Sequence, residues 1–316
     1  MDGPAKDVPT DSGPAPNTAW LAVLGAVAIV VVAVAIVVLG ADPGPRPPFL
    51  DRPRDADVPA AQRPEQGVVA LAGSGSNLAV TRALVSQFET ADGTRAVVYP
   101  SIGSGGGVRA LLDGVVDVAL VSRPLKERER ALGLVAIPYA RVPVIVAVHS
   151  DVPDEAIDTA GLVAIYAGHR GTWSDGSRIT VLQRERGDSS HSAVARVVPG
   201  FAETNDDAYR DSRWRVLYHD DAMTDALDST PGALGLFGQG AIPKGRSLRA
   251  LRVDGVAPSL ETVASGTYPF SKDLAFVTVG EPSGHAAELI EFTRSPQGAA
   301  ILRQLGALPL LGKGTQ

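Results

Sequence analysis

The sequence predicts an α/β fold of strand–loop–helix repeats, with mainly parallel strands and enough globular chain for two packed lobes. The prediction rests on three patterns. From residue 67 to about 310, short apolar runs alternate with segments of helical spacing. The run VPVIVAVHS (142–150) is apolar and β-branched nearly throughout, as a strand buried on both faces should be. Small, glycine- and hydroxyl-rich turns recur where a strand gives way to a helix.

Taken in order, VVALAG (68–73) reads as a short strand ending in glycine. AVTRALVSQFET (79–90) places Val80, Leu84, Val85 and Phe88 at helical spacing. RAVVYPS (95–101) is a strand, GVRALLDG (107–114) opens a helix, and VDVALVS (116–122) is a further strand leading toward a charged helix. After the buried strand at 142–150 come a helix at 154–166, a strand at 178–184 and a helix beginning near Ser190. LGLF (234–237), LRALRV (248–253) and LAFVTV (274–279) read as strands, and 286–295 and 296–306 as the closing helices.

The 316-residue chain does not begin with this globular part. Residues 19–41, AWLAVLGAVAIVVVAVAIVVLGA, carry no charge, and as a helix they would span roughly 34 Å, enough for a bilayer core. The expectation is one uncleaved transmembrane helix. A cleavable signal peptide competes with it, but the run exceeds the usual length of about 7–15 residues and is preceded by Lys6 against Asp2, Asp7 and Asp11. Residues 1–18 read as a disordered tail and 42–66 as a proline-rich linker, with seven prolines between Pro43 and Pro64. Arg46, Arg52 and Arg54 follow the span, and taken alone would place the C-terminal side in the cytoplasm.

Composition excludes several functions. With no cysteine, disulfide scaffolds, thiolate metal sites, cysteine nucleophiles and lipid anchors on cysteine are absent. Net charge of −6 and 5% aromatics argue against a nucleic-acid surface, so no nucleic-acid partner is expected. There is no GxSxG elbow, phosphate loop or HExxH motif, and the five histidines are scattered singly. No catalytic residue, metal site or cofactor is therefore expected. Asp188, Ser190 and His191 lie too close in sequence to form a Ser–His–Asp relay, whose members converge from different elements. His219-Asp220-Asp221 reads as a solvated helix start, with ligand contact as the lesser alternative.

The turns carry the remaining chemistry. Gly73-Ser74-Gly75-Ser76-Asn77, Ser101-Ile102-Gly103-Ser104-Gly105-Gly106-Gly107 and Arg184-Glu185-Arg186-Gly187-Asp188-Ser189-Ser190-His191 each precede a helix, and Ser122-Arg123 follows a strand. Each turn offers hydroxyls, close backbone approach and helix-start N–H groups where anions are favoured. Arg123, Arg184 and Arg186 could add charge-assisted bonds to an oxyanion. Helix capping alone accounts for any single one of these turns; it is their recurrence that favours a site.

These motifs resemble the phosphate-binding branch of the periplasmic substrate-binding proteins of ABC importers. GSGSN resembles the family's first ligand loop, and SIGSGGGVRALLDGVVDVALVSRPL its GIGSSGG…VDFGASDAPL stretch. RERGDSSH stands where the family has an R-x-x-GSGT-like loop. STPGALGLF, SGTYPFSKDLAFV and SPQGAAILRQLGALPL resemble its C-terminal landmarks, so the likeness spans the globular part. The resemblance implies a two-lobed type II periplasmic-binding-protein fold over 67–316 with an interlobe cleft. Lobe I would be 67–148 plus 250–316 and lobe II 149–249, hinged near 148–152 and 245–250.

The resemblance further implies a solute-binding protein that captures inorganic phosphate or a related oxyanion for an ABC permease. Its ligand donors would be Ser76, Asn77, Leu78, Ser104, Gly105, Ser122, Arg123, Arg184, Ser189 and Ser190. The alternative is a non-transport sensor or adaptor that uses the same fold to signal to another membrane partner. The domain would lie on the extracytoplasmic side of the cytoplasmic membrane, in conflict with the arginines after the span. Two departures stand out. Ser122-Arg123 replaces the family's aspartate that accepts a ligand proton, and Asp188 replaces a serine of the anion loop, where its carboxylate would repel phosphate unless turned away.

Overall fold

A computed structural model describes residues 68–310 except 89–92, 94, 219, 239–241, 243 and 244. The tail at 1–18, the apolar run at 19–41 and the linker at 42–66 lie outside the described residues. Among the described residues, no helix is long and apolar enough to cross a membrane.

Strand β1 (Val68–Gly73) is buried along nearly its whole length because it runs between two parallel neighbours, β2 (Arg95–Val98) and β3 (Val118–Val121). Its last residue, Gly73, has φ +150°, and a Cβ there would stand 2.1 Å from the Leu120 carbonyl oxygen. Helix α1 (Gly75–Val85) starts directly after this turn, and α2 (Gly103–Leu112) packs on the same strand end. A Cβ on Gly107 of α2 would lie 2.7 Å from the Gly73 Cα. Glycine at these two positions is what lets helix start and strand end approach so closely.

The next element, α3 (Glu127–Ala131), leads into β4 (Leu134–His149), a 16-residue strand that organises the molecule. Its first part pairs antiparallel with β11 (Ser271–Val279), from Leu134↔Val279 to Pro143↔Ser271. Its last part, from Val144 to Val148, pairs antiparallel with β8 (Ala233–Gly238). The main sheet therefore runs β2-β1-β3-β11-β4-β8-β6-β7, with β6 (Thr180–Arg184) and β7 (Arg215–Leu217) parallel to each other at the far edge. The strands at either end pair in parallel, but β4 and β11 run antiparallel to their neighbours, so the sheet is mixed rather than mainly parallel.

The switch of partner along β4 divides the described residues into two lobes. Val69, Leu71, Leu120, Tyr139, Val142, Leu274 and Phe276 share one apolar cluster. Val144, Val146 and Val148 belong to another, with Ile165, Phe201, Leu251, Tyr268 and Phe270. Fully burying such side chains contributes about 1.5–3 kcal/mol each. The crossings thus fall at 142–144 and 270–271. Those expected near 148–152 and 245–250 fall inside the second lobe, where β9 (Leu248–Ala250) pairs with β4.

Some elements escaped the apolar pattern. Helix α6 (Phe201–Arg210) buries only Phe201 and Ala208 and is otherwise polar. The first half of β4 contains Pro138 and Arg141, residues that usually exclude a central strand, and the register shifts opposite Pro138–Ala140. Helix α4 (Thr159–Tyr166), β5 (Ala156–Ile157), β10 (Arg252–Val253) and α8 (Leu260–Ala264) complete the second lobe. Helices α9 (Gly284–Arg294) and α10 (Pro296–Gln304) pack on the first, and the short β12 (Leu308–Pro309) pairs with β4 at Ala140 and Arg141, with Leu308 against the second-lobe cluster.

Candidate functional site

The hydroxyl-bearing turns converge at the seam between the lobes. Because α1 begins at Gly75, Ser76 and Asn77 lie in its first turn. Ser74 Oγ is 2.6 Å from Ser122 Oγ, and the Ser122 N–H donates to Ser104 Oγ at 3.3 Å. From the second lobe, helix α5 (Ser189–Ala195) brings Ser189 and Ser190 to the same place. Ser122 Oγ donates to Ser189 Oγ at 2.8 Å, so the two lobes touch through hydroxyls.

Lys272 stands among these hydroxyls. It is the second residue of β11, at the return crossing, and only 3% exposed. Its ammonium donates to Ser76 Oγ at 2.7 Å, Ser189 Oγ at 2.9 Å and Ser190 Oγ at 2.7 Å. Its stem passes Gly238, where a Cβ would meet Lys272 Cε at 2.1 Å. Burial pushes the Lys272 ammonium down to about 8, against the attraction of Asp188.

Arg184, at the end of β6, is the second buried cation. Its guanidinium bonds Glu185 through Nε at 2.9 Å and Nη2 at 3.1 Å, and lies 3.6 Å from Asp188. It also pairs with Asp220, the first residue of α7 (Asp220–Ser229). Asp220 in turn accepts from Ser76 Oγ at 3.0 Å, across the lobes.

Asp188 does not face an incoming anion with a bare charge. Its Oδ1 caps α5, accepting from the N–H groups of Ser190 at 2.8 Å and His191 at 3.1 Å. Burial alone would raise its carboxyl, but the His191 hydrogen bond and the charges of Arg184 and Lys272 outweigh that and hold it well below the usual carboxylate range. The two N–H groups at this helix start are thus already occupied by the Asp188 carboxylate.

The structure brings together Ser76, Ser104, Ser122, Arg184, Ser189 and Ser190 of the expected donors. Gly105 lies in the first turn of α2, beside Ser104. Leu78 turns its side chain into the first-lobe core. Asn77 is fully buried and donates to Tyr139 OH at 3.2 Å, while its Oδ1 has no hydrogen-bond partner among the described residues. Its N–H goes to the Ser74 carbonyl at 3.1 Å. Arg123 turns onto Glu129 in a bidentate pair, both bonds 2.8 Å, so its guanidinium is committed there. Arg186 pairs with Asp206 and lies over the Tyr209 ring instead of joining the cluster.

The chain pattern missed Lys272, Ser74 and Asp220 as members of this cluster. No Ser–His–Asp relay forms, because His191 Nε2 faces Tyr166 OH at 3.1 Å rather than a serine, and Nδ1 faces Asp188. No group of three or more metal-ligating side chains occurs among the described residues.

Two lobes linked by the crossing strands β4 and β11, with buried cations and hydroxyls from both meeting at the seam, define a two-lobed α/β protein of periplasmic-binding type. The chain belongs to the PBP superfamily, whose domain model matches residues 58–297. It is similar to Protein SphX of Synechococcus elongatus, 23% identical over 273 residues that cover 79% of this chain and 79% of that one. It is also similar to the phosphate-binding protein PstS of Bacillus subtilis, 23% identical over 263 residues, covering 81% and 85%. A phosphate-bound crystal structure from Clostridium perfringens, described as a phosphate ABC transporter substrate-binding protein, superposes with a TM-score of 0.69 at 23% identity. It covers 77% of this chain and 99% of that one.

Proposed function

We propose that this protein captures inorganic phosphate, or a related oxyanion, between its lobes and delivers it to an ABC permease. The observation that carries the reading is the pair of buried cations, Arg184 and Lys272, set among serine hydroxyls from both lobes. A closed cleft must match every anion oxygen with a donor, since a buried unpaired charge is costly. Hydroxyls and N–H groups at helix starts supply directed donors, and the two cations supply charge without a metal. The Bacillus subtilis phosphate-binding protein PstS and the phosphate-bound Clostridium perfringens protein, to both of which the chain is similar, agree with this ligand. No step in the reading makes or breaks a covalent bond, so it is a binding function rather than an enzymatic one.

In this proposal residues 19–41 anchor the chain in the cytoplasmic membrane, 42–66 act as a tether, and the binding domain lies on the extracytoplasmic side. Calorimetric titration of the full-length chain with phosphate and with sulfate tests the ligand. Phosphate binding below millimolar concentration is expected; sulfate binding with no phosphate binding overturns the substrate. Protease treatment of intact spheroplasts, followed by detection of the domain, tests the side of the membrane. Protection from the protease would place it in the cytoplasm and sink the topology.

A further inference from the structure

Asp220 holds the donors that a bound oxyanion requires. One carboxylate oxygen accepts from Ser76 of the first lobe at 3.0 Å, and the other pairs with Arg184 of the second. Each of these partners belongs to the set expected to hold the ligand. The other bonds of the guanidinium go to Glu185, Asp188 and the Leu217 carbonyl. An oxyanion that reaches Arg184 must therefore take the place of a carboxylate or sit against one. Two like charges held this close in a partly desolvated site repel strongly, which favours exchange over coexistence.

Of the three carboxylates, Asp220 is the one able to leave. Asp188 is fixed by two helix-start N–H groups and its side chain is 4% exposed. Glu185 adjoins Arg184 in the chain and holds it through two bonds. The Asp220 side chain is 16% exposed and lines an open cavity of about 660 Å³ between the lobes, together with Ser76, Arg82 and Arg246 and two further carboxylates, Asp221 and Asp225. The cavity gives the carboxylate room to swing and gives a small anion a route to Ser76; Arg184 does not line it and is reached only once Asp220 has moved.

We propose that Asp220 is the site's resident anion, a carboxylate that bridges Ser76 and Arg184 across the lobes and is displaced by the entering oxyanion. It sets affinity by competition and ties the lobes together through the same two bonds. This rests on the reading of the site as an oxyanion site. Exchange of one anion for another keeps the charge beside Arg184 nearly constant, so neither guanidinium nor hydroxyl is left unpaired during capture or release.

The test compares the full-length protein with Asp220→Asn and Asp220→Glu by calorimetric titration with phosphate and sulfate. Asp220→Asn is expected to bind phosphate at least tenfold more tightly, while Asp220→Glu, which keeps the charge, stays within about threefold of the unmodified protein. Unchanged or weaker phosphate binding by Asp220→Asn overturns the displacement. Because the chain has no cysteine, spin labels on Leu112→Cys and Val197→Cys, two exposed positions on opposite lobes, report the interlobe distance cleanly. Before anion is added, Asp220→Asn is expected to broaden and lengthen that distance. If none of the proteins binds either anion, the oxyanion reading fails, and an unchanged label distance in Asp220→Asn then overturns the bridging role as well.

Discussion

The two halves of the site both bring hydroxyls, Ser189 and Ser190 from the second lobe included, but they differ in charge. The first lobe contributes Ser74, Ser76, Ser104 and Ser122, neutral hydroxyls placed by helix starts and strand ends. The second contributes Arg184, ringed by Glu185, Asp188 and Asp220. Neutral donors need only geometry, which glycine-rich turns supply. A buried guanidinium needs compensation at all times, and the second lobe carries that compensation with it. Lys272 stands at the crossing between them and draws its hydroxyl partners from both sides. The first lobe thus shapes the site and the second sets its charge.

The sharpest way to break this division is Arg184→Ala. It leaves three carboxylates without their shared cation, so unfolding free energy should fall by about 3–5 kcal/mol and anion binding should vanish. Thermal denaturation and titration measure both. An intact affinity would show that the charge lies elsewhere.

Lys272→Met separates binding from stability. Removing a buried ammonium while keeping an apolar stem is expected to leave stability unchanged or raised, yet weaken anion binding at least a hundredfold, about 3 kcal/mol. The pH dependence gives a second handle. The folded-state pKa is about 8, below the ordinary 10.5, so the unfolded chain binds more protons between those values. Stability therefore rises by about 3 kcal/mol as pH climbs across that window. Anion affinity runs the other way, falling as pH rises through about 8 and the ammonium discharges. In Lys272→Met both trends should flatten, and a persistent trend would assign the titration to another group.

A gentler probe of the crossing is Gly238→Ala. The added methyl meets the end of the lysine side chain rather than backbone, so the ammonium is pushed off its hydroxyls. Affinity is expected to fall about tenfold, near 1.4 kcal/mol, with little loss of thermal stability. Equal losses of both would point to a packing fault instead. The smallest effect on affinity belongs to Arg123→Ala, which removes only the pair with Glu129. Anion affinity should stay within twofold, while stability should drop by about 3 kcal/mol because the Glu129 carboxylate is left buried without its cation. A large affinity loss would return Arg123 to the ligand set.

Much of the first lobe was legible because its chemistry is local. A strand ending in Gly73 followed by Ser74 and Ser76 announces both a turn and a helix start within a few residues. Arg184 was legible for the same reason, as the end of a strand before a hydroxyl-rich turn. Arg123 looked equivalent, but Glu129 lies six residues on, and α3 folds it back onto the guanidinium. Lys272 was not legible. A lysine at the start of a strand is ordinarily a solvated edge residue, and its burial arises only where β11 meets β4 and β8 at the seam.

By itself, the sequence determined the α/β class, the turns that carry hydroxyls, Arg184 as a donor at the end of a strand, and the apolar and proline-rich segments ahead of the domain. Those follow from periodicity, glycine placement and residue chemistry within short stretches. Tertiary structure alone decided the mixed sheet, the crossings at 142–144 and 270–271, and the meeting of Lys272, Ser76, Ser190 and Asp220. Residues 76 and 272 stand 196 positions apart, and only long-range strand pairing fixes which charges share a low-dielectric seam.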